Sequence, residues 1–215
     1  MPMKQVHLVL DKTVISPSVF LLRLERKEIM FDPGQYVFVN LPGTRYVREY
    51  SISSGINDPY LELTIKEVAD GCMSKKLRNI ESGELLEIEG PFGFFTLNES
   101  FYATSPLLLV ATGTGISPFR SFVRSNPALN YQLLHGVRYG NESYHRDFPG
   151  QYILCTSRDR SGNFYGRVTK YQEAHPISTD HWCYLSGNWR MIEDMREILV
   201  RQGIPFDHIL SETHN

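Results

Sequence analysis

The chain has 215 residues, 41% of them hydrophobic, enough to build one large core or two small ones. A formal net charge of −2 excludes a nucleic-acid binder with a broad basic face. No apolar stretch reaches the roughly 18 residues a membrane span requires, and Met1-Pro2-Met3-Lys4 leads into polar, strand-like sequence rather than a signal core, so a cytoplasmic protein is expected.

In chain order, residues 5–15, 18–27, 36–41, 48–54, 60–68 and 84–89 are short runs rich in Val, Ile, Leu, Phe and Tyr. Leu61, Leu63 and Ile65 alternate with Glu62, Thr64 and Lys66, the period of a strand with one face in the core and one in solvent. Pro17-Ser18, Pro33-Gly34, Pro42-Gly43, Asn57-Asp58-Pro59 and Ser82-Gly83 separate the runs as turns. Six such strands predict a small antiparallel barrel, interrupted only by a helix-like pattern over 72–79.

The rhythm changes after Phe101. Leu107 to Ala111 is a continuous apolar run, and similar runs recur at Tyr131–Val137, Tyr152–Thr156, Trp182–Leu185 and His208–Leu210, with helical candidates between them. Continuous runs of this kind predict a parallel sheet with helices on both faces. The clearest helix is Met191–Gln202, with Asn188 as its cap, Gly203 as its stop and Pro205 beyond. The pattern divides the chain into a barrel domain at 1–102 and an α/β domain at 103–215.

Val110 to Pro118 leaves a buried strand, makes a glycine turn and enters a helix, with Ser117 as the expected cap and Pro118 at the first helical position. Glycines let the backbone approach a pyrophosphate, and a helix amino terminus offers free N–H groups. Pro118 stands where a dinucleotide fingerprint would carry its third glycine, so a purely structural turn remains the alternative. Cys72, Cys155 and Cys183 have no Cys-x-x-Cys spacing and the histidines no His-Glu-x-x-His spacing, so no metal site is expected and the thiols read as reduced and packed.

These motifs form an ordered series: Pro33-Gly34-Gln35-Tyr36, Arg48-x-Tyr50-Ser51, Gly71-x-x-Ser74, Gly90-Pro91-Phe92-Gly93, Gly113-Thr114-Gly115-Ile116-Ser117-Pro118, Thr156-Ser157-Arg158, Gly166-Arg167-Val168-Thr169, Ser186-Gly187-Asn188-x-x-Met191-Ile192, and Glu212 near the end. In order and spacing the series resembles the ferredoxin:NADP reductase family over nearly the whole chain. The resemblance implies a flavin-binding Greek-key β-barrel followed by a doubly wound α/β nucleotide domain, with FAD and NADP(H) as cofactors. It implies that Arg48 pairs with the flavin pyrophosphate, that Tyr50 stacks on the isoalloxazine, that Ser51 hydrogen-bonds near its N5, and that Gly71 and Ser74 hold the pyrophosphate from the other side. On the nucleotide side Thr114 and Gly115 face the nicotinamide half with Gly187 in the same binding set, and Arg158 faces the adenosine ribose. Arg158, Arg160 and Arg167 resemble a clamp for a 2'-phosphate, which makes NADPH the preferred donor.

Taken singly, each residue has a plainer reading: a surface ion pair for Arg48, simple core for Tyr50, a helix cap for Gly71 and Ser74, a solvated charge for Arg158. Two positions depart from the family. Ser186 stands where many members carry Cys near the nicotinamide, and Cys183 does not replace it, because three residues along a strand face opposite ways. His214 stands near the end where relatives place an aromatic ring. Ser51, Ser186 and Glu212 are the expected catalytic set, Glu212 as a carboxylate that handles protons at the carboxyl end of the last strand.

The expected activity is hydride transfer from NADPH to FAD, followed by single-electron transfer to a small carrier such as ferredoxin or flavodoxin, in a monomer or weak dimer. The alternatives are an NADH- or NADPH-dependent reductase serving an oxygenase or free flavin, and a non-catalytic electron-transfer subunit of a larger complex. The lack of clustered cysteines weighs against the last.

Overall fold

The computed structural model describes residues 4–143 and 148–214. The amino-terminal Met1–Met3, on which the expectation about a signal core rests, lies outside the described residues. The chain forms two compact units: residues up to Leu97 together with Ser117–Asn126, and Asn98–Ile116 together with Pro127 to the end.

The first unit is an antiparallel six-stranded sheet of β1 (Gln5–Ser16), β2 (Val19–Glu25), β3 (Tyr36–Asn40), β4 (Val47–Ser51), β5 (Tyr60–Lys66) and β6 (Leu85–Phe92), in the order β4-β3-β6-β1-β2-β5. Its edges are drawn together where Ile52 bridges Leu63 and the Ser53 N–H donates to the Glu62 carbonyl at 2.8 Å, which makes the sheet a barrel. Alternate positions fill the interior: Phe20, Leu22 and Leu24 from β2, Val37 and Val39 from β3, Leu61, Leu63 and Ile65 from β5, Leu86 and Ile88 from β6. Burying each such side chain contributes about 1.5–3 kcal/mol. The helix expected at 72–79 is α1 (Cys72–Asn79), which adds Met73 and Leu77 to that core.

The alternation in β5 does not mean what it suggests. Glu62 is fully buried and Thr64 nearly so, because α3 (Ser117–Ser125) covers the face they occupy. Arg120 Nη1 lies 2.9 Å from Glu62 Oε1, Arg124 Nη1 3.3 Å from the same oxygen, and Arg23 Nε donates to Oε2 at 2.8 Å. The Glu62 hydrogen bond holds the Arg23 guanidinium above its usual pKa. Phe119 and Phe122 of α3 pack on Phe95, and Ser125 accepts from the Ile56 N–H. These contacts are why α3, which follows the α/β pattern in sequence, belongs by packing to the barrel unit, whereas the pattern division runs at 102.

The second unit is a wholly parallel sheet of β7 (Leu107–Thr112), β8 (Tyr131–Val137), β9 (Gln151–Thr156), β10 (Phe164–Tyr165), β11 (Trp182–Gly187) and β12 (Ile209–Thr213), ordered β10-β9-β8-β7-β11-β12. The two-residue β10 is too short to leave an apolar run and was not among the expected strands. Helices α2 (Glu99–Tyr102), α4 (Val168–Ala174) and α5 (Trp189–Arg201) complete the set. Asn188 caps α5 as expected, its side chain accepting from the Arg190 N–H at 3.1 Å. Ser117 is a correction: a 3-10 turn, Gly113–Ile116, runs straight into α3, so Ser117 is the first residue of the helix rather than its flanking cap.

Cys155 and Cys183 are packed thiols pushed up to about 12 by burial, but Cys72 is exposed at the start of α1, against the expectation that all three are packed. No helix among the described residues is long and apolar enough to cross a membrane, and no group of three or more His, Cys, Asp or Glu among them could hold a metal ion.

Candidate functional site

In the barrel unit, β4 carries three of the expected residues. Register pairs Val37 with Tyr50 and Val39 with Arg48, so these two side chains share one strand face, while Ser51, opposite Tyr36, lies on the other. Tyr50 is half-buried against the core, and burial pushes its phenol up to about 12 against the opposing pull of the Arg48 charge. Arg48 is exposed; its Nη1 donates to its neighbour Val47's carbonyl at 2.8 Å. The face thus offers an accessible guanidinium beside a flat aromatic surface, a combination suited to a phosphate joined to a ring.

The Gly71-x-x-Ser74 run begins α1 with no side-chain cap. The Ser74 hydroxyl accepts from the Val68 N–H at 3.0 Å and donates to the Gly71 carbonyl at 3.3 Å. Ser74 therefore shapes the turn before the helix, and the uncapped backbone at Gly71 is the part of the motif fitted to an anion.

In the α/β unit the strand order reverses at β7, whose neighbours are β8 on one side and β11 on the other. Ligands bind such sheets outside the carboxyl ends of the strands where the order reverses. Thr114, Gly115, Ser186 and Gly187 all fall there. A Cβ on Gly115 would lie 2.5 Å from the Ser186 carbonyl oxygen and 2.7 Å from the Gly187 Cα; one on Gly187 would lie 2.2 Å from Thr112 Oγ1. Only glycines let the two turns close on each other. The Asn188 N–H then donates to Thr112 Oγ1 at 2.9 Å and fixes the start of α5.

Ser186 is fully buried, and its hydroxyl has no hydrogen-bond partner among the described residues. Register places it beside Glu212. β12 extends to Thr213, so Glu212 lies within the strand, not beyond the end expected at Leu210. Glu212 Oε2 is 3.3 Å from His214 Nε2, without the geometry of a hydrogen bond, and both atoms are buried. The His214 N–H donates to the Gly187 carbonyl at 2.9 Å, which ties the tail to the same strand ends. Three buried polar atoms without hydrogen bonds, gathered at the carboxyl ends of β11 and β12, fit a polar ligand group such as a carboxamide.

At the far side of this sheet the ends of β8 and β9 are joined through Asp159, whose carboxylate accepts from the Gly140 N–H at 3.0 Å and from the Ser161 hydroxyl at 2.8 Å. Those bonds hold the Asp159 carboxyl below its usual range, the Gly140 N–H foremost. Arg158 is exposed on this loop, and its N–H donates to the Arg138 carbonyl at 2.9 Å. Arg138 was not among the expected residues; its sequence signal is a cation directly after the apolar run of β8, the counterpart of Arg158 after β9. Arg167 is exposed at the start of α4, whereas Arg160 lies 4.7 Å from the centre of the Tyr165 ring. The side chains of Arg138, Arg158 and Arg167 have no partner among the described residues.

Comparison with known proteins identifies the family and the fold. Residues 7–97 match the oxidoreductase FAD-binding domain family. The chain is 36% identical to ferredoxin–NADP reductase B of Sorangium cellulosum over 94% of its own length and 93% of that protein's. It is 30% identical to the toluate 1,2-dioxygenase electron transfer component of Pseudomonas putida, covering 82% of this chain and 56% of that one. In fold it superposes on a Neisseria gonorrhoeae ferredoxin NADP+ reductase with bound FAD and NADP at a TM-score of 0.89 and 20% identity, covering 98% of both chains. The match at 36% identity over nearly the full length of both chains leads to one conclusion: the chain belongs to the ferredoxin–NADP reductase family of FAD-dependent oxidoreductases.

Proposed function

We propose that this enzyme oxidises NADPH, passes the hydride to bound FAD, and delivers single electrons to a small carrier protein such as a ferredoxin or flavodoxin. The observation that carries the choice of nucleotide is the arginine set at the ends of β8 and β9 and the start of α4. Arg138, Arg158 and Arg167 have side chains left open to solvent, as a 2'-phosphate requires and a bare ribose hydroxyl does not.

A bound flavin supplies the conversion of a two-electron donor into one-electron transfers. The chain's own residues bind and orient. The Arg48 guanidinium pairs with the flavin pyrophosphate, the uncapped start of α1 at Gly71 faces the same group, and Tyr50 offers its ring. Ser51 is assigned to the flavin edge. The Gly113–Ile116 turn with Thr114, Gly115 and Gly187 receives the nucleotide, and the Ser186 hydroxyl finds in its carboxamide the partner it lacks. Glu212, with His214 beside it, would be the carboxylate that holds or gives up a proton.

A second reading, a reductase component serving an oxygenase, draws on the 30% identity to the toluate dioxygenase component. One experiment separates them: purified protein is reduced with NADPH or NADH and offered ferredoxin, flavodoxin or an oxygenase as acceptor. NADPH and a small carrier are the expected pair. Arg158→Ala and Arg167→Ala should each weaken NADPH roughly 10- to 150-fold and leave NADH nearly untouched. Wild type that uses NADH equally well rejects the phosphate clamp.

A further inference from the structure

His135 lies in β8, in register with Ala111 of β7 and Leu154 of β9, and is fully buried. Its Nε2 is 3.0 Å from the Gly113 carbonyl oxygen and its Nδ1 is 2.7 Å from the Tyr152 hydroxyl. A carbonyl only accepts, so Nε2 carries the hydrogen. Nδ1 then presents a lone pair, and the Tyr152 hydroxyl donates to it. The direction of every hydrogen in the chain Tyr152–His135–Gly113 is thereby fixed. Burial lowers the imidazole to about 4, so this neutral tautomer is the form present at physiological pH.

The arrangement is braced from behind. Tyr152 stacks on Phe148 with ring centres 5.6 Å apart, and Phe148 meets Tyr131 edge-on at 6.5 Å. Tyr131 in turn accepts from the Gly150 N–H at 3.2 Å, at the start of β9. The histidine is held by packed aromatic rings at one end and holds a backbone carbonyl at the other. That carbonyl belongs to the first residue of the Gly113–Ile116 turn, where β7 ends at the reversal point of the sheet. Fixing the Gly113 peptide plane fixes the direction of the next N–H, that of Thr114, and the approach of Gly115 to Ser186.

We propose that His135 is a positioning residue for nucleotide binding: as donor to the Gly113 carbonyl it sets the peptide planes of the turn that receives the nicotinamide nucleotide, with Tyr152 satisfying its other ring nitrogen. The inference rests on the reading that the nucleotide binds at this turn.

The test uses the flavin-loaded full chain. Nitrogen NMR of the wild type should show His135 as the Nε2–H tautomer, unprotonated from pH 5.5 to 8, a window above its lowered pKa. NADP+ dissociation constants are then measured for wild type, His135→Phe, His135→Gln and Tyr152→Phe. A glutamine amide can replace Nε2 as donor; phenylalanine cannot. The expected result is NADP+ binding weaker by roughly tenfold or more in His135→Phe, recovered mostly in His135→Gln and lowered less in Tyr152→Phe, with flavin content and kcat at saturation close to wild type. The Nδ1–H tautomer in wild type overturns the proposal. So does unaltered NADP+ binding in His135→Phe, or in Tyr152→Phe should His135→Phe not fold, and so does a glutamine variant no better than phenylalanine. Wild type that binds no NADP+ overturns instead the reading on which the proposal rests.

Discussion

Two of the places where the molecule buries polar chemistry treat it in opposite ways. On β5, the buried Glu62 carboxylate receives Arg23, Arg120 and Arg124, and Arg124 also meets Asp58 at 2.9 Å. At the carboxyl ends of β11 and β12, Ser186 Oγ, Glu212 Oε2 and His214 Nε2 are buried with no hydrogen bond among the described residues. Desolvation charges both places, and the first recovers far more of the cost within the chain, through three arginines on one carboxylate. The first cluster holds α3 on the barrel; the second leaves three buried polar atoms without a hydrogen bond. Buried polarity alone therefore does not mark a site.

The largest effect should come from breaking the satisfied cluster. Glu62→Ala leaves the Arg120 guanidinium, 1% exposed, without its carboxylate and should destabilise the protein by about 3–5 kcal/mol, measured by denaturant unfolding. A loss below 1 kcal/mol would mean that water reaches Arg120 and that the contrast between the two clusters is false. Nucleotide binding should be altered less than stability.

The next effect concerns a buried group that desolvation keeps neutral. His135 titrates near 4 in the folded protein against 6.5 when free. Between these values the unfolded chain takes up a proton that the folded one refuses, so stability falls as pH drops from 6.5 toward 4. The full loss is about 3 kcal/mol, reached below pH 4 and absent above pH 6.5. Unfolding measured at pH 7 and pH 4.5 in wild type and His135→Gln should show a steeper fall in wild type, the remainder coming from groups such as His7, whose pKa burial also lowers. Equal slopes would place the acid sensitivity elsewhere.

The smallest effect on stability, and the sharpest for the comparison, belongs to the unsatisfied cluster. Ser186→Ala removes a buried hydroxyl that has nothing to lose, so stability should stay within about 0.5 kcal/mol of wild type or rise. Reduction by NADPH should slow in single-turnover measurement. A variant that is destabilised by more than about 1 kcal/mol would show that the hydroxyl is already satisfied in the resting protein.

Much of this was legible in the chain. Six short strands, five continuous apolar runs, the helix over 72–79 and the Asn188 cap follow from local rules of periodicity and capping, and the structure carries them at nearly the same residues. The motif series identified the family. Arg48 and Tyr50 were separable from Ser51 by strand alternation alone. Local pattern fails where a partner comes from elsewhere in the chain. Glu62 reads as solvent-facing because nothing near it in sequence announces Arg120, and His135 reads as one more residue of an apolar run because its two partners, Gly113 and Tyr152, lie 22 and 17 positions away.

The sequence by itself determined which segments are strands and helices, since side-chain period and turn residues act within a few positions. It also determined the family, since ordered motifs survive as text. Only the tertiary structure decided which polar groups are satisfied, because satisfaction is a matter of approach within about 3 Å between strands and helices distant in the chain. That approach turned Glu62 into a structural anchor, left Ser186 and Glu212 with buried oxygens lacking a hydrogen bond, and fixed the tautomer of His135.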